Sequence, residues 1–190
     1  MSLAPKVYGE PQKTVVHRQC GASDVLAYIP SLGMPGPLTA SLTNPTSSPS
    51  GIFGGDVVAL TLDVDFNNAG FLHGTSTLPF GDLVLTNLSS FVSPGGTFDL
   101  SAVNGLTVSQ FLADANTCLG GRLCPGSLDA VDGLTEDLLG SFDNGTVSTF
   151  SDTNLALPAT ATAPEPASLL LLVPGRLAGI ALLRRGFVRG

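Results

Sequence analysis

The side chains able to do chemistry are few, and their spacing points away from catalysis. Cys118 and Cys124 bracket Leu-Gly-Gly-Arg-Leu. Such a pair can close a short disulfide loop, remain as two thiols, or begin a metal site. The metal alternative lacks further Cys or nearby His, and a structural site needs about four ligands. In an oxidising compartment a disulfide is the expectation, contributing about 2 kcal/mol by closing a short loop. Cys20 is left over. Asp63, Asp65 and Asn67 have the spacing that opens a calcium loop. That loop needs Gly at its sixth position and Glu at its twelfth, where this chain has Asn68 and Gly74. His17 and His73 stand apart, with no nucleophile elbow or Ser-His-Asp order. Residues 19–175 contain no Lys, which removes the glycine-rich phosphate loop. The expectation is a non-catalytic protein without cofactor or metal.

Charge is scarce and unevenly spread. Only 12% of the 190 residues are charged, and the net charge is −7. Residues 19–175 hold one base, Arg122, against fourteen acids from Asp24 to Glu165. Four arginines (Arg176, Arg184, Arg185 and Arg189) follow with no acid among them. An acidic body cannot neutralise phosphates, so nucleic acid is excluded as a partner. A short basic end on an acidic body is the asymmetry of a membrane or targeting tail.

The tail itself has three parts in order. Pro164-Glu165-Pro166 precedes the apolar run 167–183, and Arg184-Arg185 closes it. As a helix, that run is about 25 Å long, the lower limit for a bilayer core. The closing arginines place residues 184–190 on the cytoplasmic side. The competing reading is an amphipathic helix packed on the domain. Leu169 to Val173 are apolar at every position, which suits lipid better than one packed face.

These parts, in this order and wording, resemble the PEP-CTERM sorting signal of Gram-negative bacteria. The resemblance covers residues 164–190. It implies handling by an exosortase, a membrane-embedded cysteine transpeptidase-like enzyme. It further implies transit through the inner membrane, processing near Pro164-Glu165-Pro166, and delivery to the cell surface or extracellular matrix, often beside exopolysaccharide. Arg184 and Arg185 would stop transfer. The chain departs from the family at Pro174-Gly175-Arg176, in the middle of the run. Seven Leu, Val173 and Ile180 favour insertion by about 4 kcal/mol, and a central Arg opposes it by about 3 kcal/mol. Pro174 also removes a helical hydrogen bond. Insertion is expected to be marginal.

An exosortase substrate needs a secretory signal peptide, and residues 1–30 hold no apolar core behind a basic start. The expectation is that the natural start lies upstream and that residues 1–20 are unreliable or truncated. Segments 35–70, 106–121 and 127–150 resemble an uncharacterised module of bacterial surface proteins. That resemblance spans residues 25–150.

The elements expected for the body, residues 21–150, follow from periodicity. Leu38 to Leu42 reads as a short strand. Asp56–Phe66 alternates, with Val58, Leu60, Leu62, Val64 and Phe66 on one face and Asp63 and Asp65 on the other. Asn67-Asn68-Ala69-Gly70 supplies the turn. Asp82–Leu88 and Thr97–Leu100 follow as strands, separated by a loop from Ser89 to Gly96. Thr107 and Gln110 form a capping box. Val108, Phe111, Leu112, Ala115 and Leu119 then keep helical spacing up to Gly120-Gly121. A second helix starts at Ser127, with Asp129 and Asp132 near its positive end. It buries Leu128, Val131, Leu134, Leu138 and Phe142 and is capped by Asn144-Gly145. Gly133 and Gly140 weaken it by about 1 kcal/mol each.

Strands followed by helices predict an α+β fold, an antiparallel sheet domain with two short helices and a C-terminal apolar helix. Residues 151–163 read as a linker. The function expected is that of an exported surface or matrix protein. Two alternatives stand beside it. One is a carbohydrate- or calcium-binding module with a polar groove on the sheet face bearing Asp63 and Asp65. The other is a truncated gene remnant.

Overall fold

The computed structural model describes residues 6–8, 15–17, 22–72 and 78–159. The chain divides at Pro158, which ends the first compact unit; the second runs from Ala159 to Gly190. The fold is α+β; among the described residues helices dominate and the strands form three small sheets.

Five helices carry the described structure. They are α1 (Ala22–Tyr28), α2 (Ile52–Asn68), α3 (Val108–Leu119), α4 (Leu128–Leu139) and α5 (Thr149–Asn154). The strands are short. β1 (Lys6–Tyr8) pairs antiparallel with β2 (Val15–His17), and β2 pairs parallel with β3 (Leu42–Thr43). β4 (Val84–Leu85) pairs antiparallel with β7 (Leu155–Ala156). β5 (Phe91–Ser93) and β6 (Gly96–Phe98) form a hairpin.

The largest correction concerns residues 52–68. The alternation at 56–66 predicts a strand, and the structure makes a seventeen-residue helix. Both periods are present in this sequence. Phe53, Val57, Leu60, Thr61 and Val64 also recur at helical spacing, and all five are buried. Length decides between the two: a run of this extent between Gly51 and Gly70 is long for a strand and ordinary for a helix. Thr61 falls on the polar face of the imagined strand. In the helix it is buried, its hydroxyl donating to the Val57 carbonyl at 2.7 Å.

α2 is the central element, packed against both α3 and α4. Close approach to the surrounding chain needs glycine at two positions. A Cβ on Gly54 would collide with the Ser48 hydroxyl, and one on Gly55 with the Ile29 carbonyl. The turn Asn67 to Gly70 survives as the helix terminator. Gly70 takes φ 75°, and the Asn67 side chain accepts from the Phe80 amide at 2.6 Å while donating to the Leu72 carbonyl at 2.9 Å.

α3 and α4 match the predicted starts. The Thr107–Gln110 capping box forms in both directions, and the Ser127 hydroxyl accepts from the Ala130 amide. Val108, Phe111, Leu112, Ala115 and Leu119 are all buried. So are Val131, Leu134 and Leu138, with Leu128 and Phe142 half-buried against them. α4 stops at Leu139, earlier than expected, and a 3-10 turn (Gly140–Gly145) follows before Ser148 caps α5. Gly133 has a packing reason: a Cβ there would strike the Ser93 hydroxyl on β5.

The remaining differences come from pairing across the chain. Leu38 is a buried coil residue whose amide donates to the Leu119 carbonyl at 2.8 Å, and the strand in this region is Leu42–Thr43. The segment Ser89 to Gly96, expected as loop, supplies β5 and the hairpin turn. The Asp82–Leu88 strand shrinks to Val84–Leu85. Residues 151–156, at the junction read as linker, form the end of α5 and β7. β7 is fastened by two side chains: Asn87 donates to the Thr153 carbonyl at 2.9 Å, and Asn154 to the Thr86 carbonyl at 3.0 Å.

Candidate functional site

Three sets of residues could carry function, and the structure treats them differently. Pro164, Glu165, Pro166, the run 167–183, Arg184 and Arg185 lie outside the described residues, as do Cys20 and His73. No helix among the described residues is long and apolar enough to cross a membrane.

The second set is the cysteine pair. Cys118 and Cys124 are joined by a disulfide, with their Cα atoms 4.9 Å apart. Cys118 is buried on the last turn of α3. Cys124 sits in the loop that leads to the Ser127 cap of α4. The bridge therefore ties the end of one core helix to the entry of the next. Leu123, inside the closed loop beside Cys124, is 92% exposed.

The third set is acidic, and sequence reasoning missed its nature. Asp63 and Asp65 do not share a face, because two residues on a helix point about 200° apart. The sheet face imagined for a polar groove is absent, and Asn67 is occupied in terminating α2. The acids that matter are Asp56 on α2 and Asp132 on α4. Each is the fifth residue of its helix, past the first-turn amides that would welcome a carboxylate. Asp132 is only 9% exposed. Asp132 Oδ1 and Asp56 Oδ2 are buried without a hydrogen-bond partner.

Burial pushes Asp132 up to about 7, and the like charges of Asp56, Glu136 and Asp129 add to it. Burial likewise raises Asp56 to about 6, with Glu136 contributing. Asp137 moves in the same direction, through burial and then Glu136. The sequence signal available for this pair was weak. Asp129 and Asp132 both looked like dipole-stabilised residues, and only packing separates the exposed Asp129 side from the buried Asp132.

A shallow cleft of about 420 Å³ opens on α4, lined by Pro94, Glu136, Asp137, Leu139 and Gly140. Pro94 belongs to the β5–β6 turn, so the hairpin forms one wall. Among the described residues no group of three or more His, Cys, Asp or Glu side chains is arranged to hold a metal ion. What the acidic pair can do is hold protons at a pH where ordinary carboxyls have lost them.

Comparison with family models, with curated proteins and with solved structures finds no match to this chain.

Proposed function

We propose that this chain is an exported, non-catalytic surface or extracellular-matrix protein, sorted by an exosortase through its C-terminal tail. The observation that carries the reading is the order Pro164-Glu165-Pro166, apolar run 167–183, Arg184-Arg185. In this reading the motif is what the exosortase recognises. The apolar run holds the chain in the inner membrane during transit, and the arginine pair stops transfer.

Two features of the described unit are consistent with it. The first compact unit ends at Pro158, ahead of Pro164 in the sequence. The Cys118–Cys124 disulfide suits an oxidising compartment outside the cytoplasm. The matrix setting makes exopolysaccharide a candidate neighbour of the acidic surface.

The test is to express the full chain behind a secretory signal in an exosortase-bearing Gram-negative cell and in the same cell lacking the enzyme. The expected product in the first is shortened at the tail and released from the inner membrane. In the second it stays full-length and membrane-bound. Replacing Pro164, Glu165 and Pro166 by Ala is expected to reproduce the second result in the first cell. An unprocessed, identical product in both cells overturns the proposal.

A further inference from the structure

Two acids at the α2–α4 contact, Asp132 buried and Asp56 half-buried, have no part in the sorting reading and ask for an explanation of their own. Among the described elements, α4 packs against α2 more extensively than any other pair meets. At that contact Asp132 is nine-tenths buried, and one carboxyl oxygen on each of Asp132 and Asp56 lacks a partner. A buried carboxylate without a cation or a donor is costly, whereas a buried neutral carboxyl is much less so.

The surroundings offer no cation. On α4 the other charged side chains are Asp129, Glu136 and Asp137, and on α2 they are Asp63 and Asp65. Of the elements packed on the pair of helices, the 3-10 turn Phe80–Asp82 brings the exposed Asp82, α3 Asp114 and α5 Asp152, while β5 brings no titratable group. Across residues 22–72 and 78–159 the one basic side chain is Arg122, in the disulfide loop.

We propose that the α2–α4 contact is a proton-set latch, tightest when Asp132 and Asp56 are protonated and loosened when both are ionised. The direction follows from linkage. Both groups are raised in the folded chain, to about 7 and about 6. An unfolded Asp titrates near 4. Between about pH 4 and pH 7 the folded state therefore binds more protons than the unfolded state, and stability falls as pH rises through that window. The domain is an acid-favouring fold, the reverse of one held by paired carboxylates.

The experiment is thermal unfolding of the full chain in mild detergent from pH 4.5 to 8.5. The melting temperature at pH 5 is expected to exceed that at pH 8 by about 5 °C or more. Asp132→Asn is nearly isosteric and is expected to remove most of this dependence, melting at pH 8 close to the parent's acid value. Asp82→Asn, which removes an exposed acid, is expected to keep the parent's slope. Glu136 is exposed, so Glu136→Gln folds whatever the latch does, and it is expected to move the midpoint of the dependence to lower pH. Equal slopes in Asp132→Asn, Asp82→Asn and the parent overturn the proposal, as does an unmoved midpoint in Glu136→Gln. If millimolar calcium at pH 8 restores the acid melting temperature in the parent but not in Asp132→Asn, a cation rather than a proton holds the pair, and the latch is wrong.

Discussion

Helix α3 begins on a reciprocal side-chain cap and buries one stripe, whereas α2 begins on Gly51 with no side-chain cap and is buried over more than half its girth. Gly51 takes φ 63° and ψ −146°, a backbone state open to glycine, and a Cβ there would strike the Met34 carbonyl. So α3 is specified by local chemistry: a donor-satisfying Thr, a returning Gln and a 3.6-residue stripe. α2 is specified by its neighbours. It sits against α3 and α4, with α1 held close by the glycines at its start. The lesson is general for small domains. A helix facing water on one side writes its period into its sequence. A helix enclosed by others needs no polar stripe, and its pattern becomes ambiguous.

This contrast can be broken by mutation, and the largest effect is expected in α2. Phe53 is fully buried at the first turn, so Phe53→Ala is expected to cost about 3–5 kcal/mol in denaturant unfolding. A loss as small as a lost cap would mean that α2 is not the centre of the core. Next come the caps. Thr107→Ala and Ser127→Ala should each cost about 1 kcal/mol, and the double variant should show the sum, because they start different helices. A penalty near that of Phe53→Ala would show that the caps organise more than their own helices.

The smallest effects should separate two glycines that look alike in sequence, Gly133 inside α4 and Gly140 at its C-terminal cap. Gly140 has open space around its Cβ position and an ordinary helical φ of −74°, so Gly140→Ala should stabilise by about 0.4–1 kcal/mol. Gly133 faces the Ser93 hydroxyl, and Gly133→Ala should destabilise in spite of alanine's better helix propensity. Equal signs in the same unfolding assay would mean that the β5–β6 hairpin yields freely and does not press on α4.

Legibility followed the same division. The starts of α3 and α4, their buried stripes and the end of α3 at Gly120 could be read because each rests on residues within one turn. Of the β5–β6 hairpin, β6 overlaps the strand expected at Thr97–Leu100, while β5 was hidden by Ser, Pro and Gly, which look like loop until Phe91 finds Phe98 across the turn. β7 was hidden for a different reason. Leu155 and Ala156 become strand only by pairing with Leu85 and Val84, some seventy residues earlier, under the clamp of Asn87 and Asn154. The candidate site divides in the same way. The cysteine pair and the tail motif are contiguous in sequence, while Asp56 and Asp132 are not.

The sequence by itself determined the scarcity of bases, the capped amphipathic helices, the short Cys118–Cys124 loop and the composition of the tail, because these depend on neighbours along the chain. Only the tertiary structure decided that residues 52–68 are a helix and that Asp132, buried, and Asp56, half-buried, meet at one contact. The physical reason is shared. Helix against strand in an enclosed apolar run, and ionised against neutral in a carboxyl, are both settled by the neighbours that exclude water. In this protein those neighbours come from distant parts of the chain.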